Sequence, residues 1–155
     1  MTQSKGIWRK VVILAIVGGL AFWATNFAIS RTPIAAEYRA ALSISYLPMI
    51  VESLIGGLII GFFVSYFLLR FFDRIPTKNP ILKSVILSLI ALAIVTILLE
   101  GPSRLLTPTS DALRYFLIGA MFNVLRILAL GVVIGYLYDW LNARAAPHAT
   151  STVQQ

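Results

Sequence analysis

Four apolar stretches, about 11–29, 46–69, 81–99 and 115–138, fill most of this 155-residue chain. Each is long enough to cross a hydrocarbon core about 30 Å thick, which takes roughly 20 apolar residues as a helix. A backbone in lipid finds no water to bond, so lone spans of this length fold as helices. The sequence therefore predicts an all-α, polytopic membrane protein, a four-transmembrane-helix bundle.

Composition agrees and excludes several chemistries. The chain is 59% hydrophobic and only 12% charged, against about a quarter charged in soluble domains. One membrane domain over 11–141 accounts for most of it, between a basic N-terminus (1–10) and a polar tail (142–155). With no cysteine, thiol redox chemistry, iron–sulfur clusters and zinc thiolate sites are excluded. The single histidine, His148, falls in the tail, which excludes bis-histidine haem ligation inside the membrane. No cofactor and no metal site is expected. The net charge of +7 does not read as nucleic-acid binding. The basic residues sit at the ends of the apolar stretches, where lysine and arginine anchor helices and meet anionic lipid.

The first stretch, Val11 to Ile29, carries no charge and follows Lys5, Trp8, Arg9 and Lys10. A signal peptide also starts basic, and Ala28-Ile29-Ser30 resembles a cleavage site, but this apolar core of 19 residues exceeds the usual range of about 7–15. A retained helix is expected. Thr32 followed by Pro33 reads as the capped start of an interfacial helix over 33–42, with Pro48 marking a bend before the second span. In the third, Lys83 is placed to snorkel toward headgroups, and Glu100-Gly101-Pro102 is the stop. Ser110 or Asp111 is a suitable cap for the fourth.

Lysine and arginine placement sets the expected orientation. Lys5, Arg9, Lys10, Arg70, Arg74, Lys78, Lys83 and Arg144 fall on one side, against Arg31, Arg39, Arg104 and Arg114 on the other. That bias puts both termini in the cytoplasm, in a plasma or inner membrane. A weak internal similarity relates Gly61–Tyr66 to Gly131–Tyr136, and Ser-Arg followed by Thr-Pro occurs in both loops on the opposite side. Two parallel hairpin repeats would produce that pattern.

Helices in lipid associate through close backbone approach, which small residues permit. Ser53, Gly57, Gly61 and Ser65 recur every four residues and share one stripe of the second span. Gly131 and Gly135 form a GxxxG pair in the fourth, and Ala15 and Gly19, with Gly18 beside them, a weaker pair in the first. The main stripe is expected to face another helix of the same bundle.

Besides Lys83 at the edge of the third, two charges interrupt the apolar stretches, Glu52 and Arg126. An arginine at a span's centre costs about 2.5–3.5 kcal/mol, but each Leu, Ile, Phe or Val returns about 0.3–0.6, and the fourth stretch has ample. Such groups usually face the bundle and find a partner. Counted from one membrane side at about 1.5 Å per residue, their depths differ by about 7 Å. An ion pair or water-bridged pair is the expectation, with Asn123 one turn from Arg126 completing an intramembrane polar site.

No catalytic motif emerges. Glu37, Tyr38, Arg39, Glu100, Ser103 and Asp111 have no spacing that defines a reaction. The function expected is a non-catalytic accessory or structural subunit, held in the lipid bilayer and associating with another membrane protein or with itself. The alternative is a small oligomeric transporter or channel using Glu52 and Arg126. A sealed charge pair favours the first, and a water-filled cleft the second.

Overall fold

Local sequence signals account for where each helix starts and stops. The structure is a computed structural model that describes residues 2–100 and 111–145, with side chains from 6–98 and 111–144. Helix α1 (Thr2–Ser30) ends where its last carbonyls find side-chain donors: Ser30 Oγ donates to Phe27 O (2.6 Å) and Thr32 Oγ1 to Ile29 O (2.8 Å). Thr32 then caps α2 (Pro33–Ala41), accepting the Ala35 N–H at 3.3 Å, with Pro33 at the first position, where its missing N–H costs nothing. Ser43, at φ 54°, turns the chain into α3 (Tyr46–Phe71). Pro48 does not mark the bend. It lies within the first turn of α3, among N–H groups that have no intrahelical acceptor, and the turn comes before it at 42–45.

A 3₁₀ turn (Phe72–Arg74) closes α3, and Asn79 opens α4 (Pro80–Val95) by accepting from the Ile81 and Leu82 N–H groups. A π-helical turn over Thr96–Glu100 continues α4, and α5 runs from Ala112 to Ala145. Both α1 and α5 extend beyond their apolar stretches, into the basic N-terminus and into the polar tail. Hydrophobicity measures what lipid covers, whereas backbone hydrogen bonding carries on into the polar flanks. The expected stop at Gly101-Pro102, the cap at Ser110, the Arg104 loop, and His148 with the rest of the tail from 146 lie outside the described residues, as do the side chains of Lys5 and Glu100.

Among the described residues, four helices are long and apolar enough to span a membrane: Gly6–Ser30, Tyr46–Arg74, Pro80–Leu98 and Ala112–Arg144. Helix α1 packs mainly on α3 and α5, and α5 on α4. Leu14 and Phe22 from α1, Val64 and Leu68 from α3, and Ile127, Leu130 and Ile134 from α5 form the core. Lys10 Nζ donates to Asn142 Oδ1 at 2.8 Å, tying the first turns of α1 to the last turns of α5. At the opposite end α2 contacts α1 and α5, and Arg114 and Glu37 form an ion pair at 2.7 Å.

Candidate functional site: an outward carboxylate and a polar recess

Helix α3 carries its small-residue stripe against α1, and a neighbouring row that the bundle covers only in part. A Cβ on Gly57 would meet Gly19 O at 3.0 Å and the Phe22 ring at 2.9 Å, and one on Gly61 would meet Ala15 O at 2.8 Å. From the other side, a Cβ on Gly19 would lie 2.9 Å from the Leu58 Cα. Ser65 at the end of this stripe is fully buried. Ser53 at its start is half-buried and donates back to Ile50 O at 2.9 Å. The GxxxG pair of α5 serves the same purpose against α4: a Cβ on Gly131 would meet Ser88 Oγ at 2.8 Å, and one on Gly135 would strike the Ile81 backbone.

The neighbouring row of α3 is Glu52, Gly56, Ile60, Val64 and Leu68, again four residues apart. At one end it belongs to the core, with Val64 2% and Leu68 0% exposed. Toward the α2 end it emerges. Ile60 is partly buried, a Cβ on Gly56 would meet nothing within 4 Å, and Glu52 is exposed. Around Glu52 the outward surface is apolar, with Val51, Ile55 and Ile59 each more than half exposed. The carboxylate lies about 9 Å along the helix from Tyr46, at 1.5 Å per residue.

Arg126 is elsewhere. Its Nη1 donates to Asn123 Oδ1 at 3.1 Å, so these two expected site residues are brought together. Glu52 is not brought to them, since the ion pair between described residues is Arg114–Glu37. The reason is rotational. Seating Gly57 and Gly61 on α1 turns Met49, not Glu52, toward the space that Arg126 lines. That space is a recess of about 20 Å³, room for about one water. Asn26 and Ser30 from α1, Tyr38 and Arg39 from α2, and Phe122 from α5 also line it. Asn26 is 1% exposed, and its Nδ2 has no acceptor among the described residues. Arg39 Nη1 donates to Ser30 O at 3.0 Å and stacks its guanidinium over Tyr46, so it neutralises the carbonyl end of α1.

Lys83 does not snorkel. It is 4% exposed, and its ammonium donates to Phe72 O and lies over the Phe72 ring, which stacks on Tyr138. Lysine so close to the polar end of a span reads from sequence as a headgroup contact. Only the fold places the carbonyl of Phe72, just past α3, nearer than the lipid. Gly56 was equally hidden, because adjacent glycines give no sign of which one the bundle uses.

The fold thus defines an all-helical bundle with four helices suited to crossing a membrane. The chain matches no family model, no curated protein and no solved structure.

Proposed function

We propose that this protein is a non-catalytic membrane subunit that associates with another membrane protein. The observation that carries the reading is the outward position of Glu52. Ionisable residues inside a span almost always face a bundle interior or water and pair there. Glu52 instead faces out from apolar neighbours, and a partner in the membrane would complete its surroundings. Of the interfacial acids, Glu37 is engaged by Arg114, which favours a structural over a catalytic role for it.

The orientation proposed is both termini in the cytoplasm, in a plasma or inner membrane. It rests on the excess of lysine and arginine at the end where Lys10 meets Asn142.

Native co-purification after mild cross-linking in the protein's own membranes, read by mass spectrometry, tests the reading. A stoichiometric, different membrane protein is the expected result, and recovery of this chain alone overturns it. The competing transport reading would draw on the recess of Asn26, Arg39 and Arg126. Room for about one water and the displacement of Glu52 favour the subunit. Flux through proteoliposomes that falls with Arg126→Leu would reverse that preference.

A further inference from the structure

We propose that the outward end of the Glu52–Gly56 row, with Glu52 exposed and Gly56 partly so, is the docking line for one transmembrane helix of a different protein, carrying a lysine or arginine opposite Glu52. This rests on the subunit reading above and specifies its interface. Two independent features meet on the row. The first is charge. Glu52 is exposed among Val51, Ile55 and Ile59, which offer it no hydrogen bond or counter-charge. The exposed described cations at that end are Arg31, stacked on Phe27, and Arg114, bound to Glu37. The complement that fits Glu52 is therefore a basic side chain brought by another helix at the same depth, and close oppositely charged pairs set register and partner choice.

The second feature is room for a backbone. Gly56 lies one turn from Glu52 on the same row and meets nothing within 4 Å of its Cβ position, whereas its neighbour Gly57 is packed on α1. Small residues let a second helix come close enough for continuous van der Waals contact. A helix crossing α3 at Gly56 would bring its own side chain, one turn along, level with Glu52. Past Ile60 the row closes into the core at Val64, so the contact covers only the end of α3 nearest α2. Among the described residues, the matching end of α4 also presents exposed apolar side chains, Ile94 and Ile97.

The test is site-specific photo-cross-linking of the full chain in its own membranes, with a benzoylphenylalanine replacing Ile55, beside capture by wild type, Glu52→Gln and Gly56→Leu. The expected cross-link maps to a membrane span of a different protein with a lysine or arginine within about one turn. Capture by either variant should fall at least about tenfold, while the thermal midpoint of each in detergent stays at the wild-type value. Equal capture by all three forms, or a cross-link outside such a span, overturns the docking line and leaves the subunit reading standing. No partner with any form overturns both. A cross-link to a second copy replaces the proposed occupant and overturns the proposal, as does a lowered midpoint in both variants, which would make the row structural.

Discussion

The Cβ that Gly61 lacks would lie 2.8 Å from the carbonyl oxygen of Ala15, so α1 and α3 meet backbone to backbone. Gly61→Ala should therefore force the helices apart, at the cost of about 1–3 kcal/mol typical of overpacking. Gly56→Ala should hold or slightly raise stability, because the site is open and alanine is the better helix former by about 1 kcal/mol. Reversible unfolding in mixed mild-detergent and dodecyl sulfate micelles measures both. Equal losses at the two positions would contradict this packing.

Lys83 holds the end of α3 through Phe72. Lys83→Met keeps the apolar stem but removes the donor to the Phe72 carbonyl. The expected cost is about 1.5–3 kcal/mol, the range for hydrogen bonds to a charged group. Lys83→Glu should cost more, since it puts a negative charge against the negative end of the α3 dipole. If Lys83→Met unfolds at the wild-type midpoint, the ammonium resides in the headgroups instead.

Glu52 and Arg126 belong to different surroundings, Glu52 on the outward row and Arg126 with Asn123 at the recess. The double reversal Glu52→Arg with Arg126→Glu should be no more stable than the sum of the single changes, because changes at side chains that do not touch add. Recovery of wild-type stability in the double variant would place the two side chains in contact.

The Arg114–Glu37 pair joins α2 to α5 but is open to its surroundings, with side chains 57% and 46% exposed. A double-mutant cycle with Arg114→Gln and Glu37→Gln should give a coupling below about 1 kcal/mol, shrinking further as salt is raised. A larger coupling that persists in high salt would mean the pair is shielded by lipid or by a partner.

Much of the architecture is legible without coordinates. Apolar run length alone marks four helices long enough to span, because an apolar run of about 20 residues in lipid satisfies its backbone within itself only as a helix. Thr32-Pro33 marks α2, and Asn79-Pro80 opens α4 by the same chemistry. The stripe through Gly57 and Gly61, and the pair Gly131 and Gly135, are visible as small residues four apart. What spacing withholds is the neighbour. Depth along a helix follows from counting residues, so Glu52 and Arg126 looked able to meet. Azimuth depends on which row of α3 is pressed against α1, and 100° per residue is enough to turn Glu52 outward.

The sequence by itself determined the all-helical class and the number of helices long and apolar enough to span a membrane, since these depend on the local balance of backbone hydrogen bonding and hydrophobicity. Only the tertiary structure decided which glycine of the Gly56-Gly57 pair is occupied, that Lys83 turns inward to Phe72, and that Arg126 joins Asn123 rather than Glu52. Each of these depends on how one helix is rotated against another. That rotation is set by close contacts summed over whole interfaces, and no single residue encodes it.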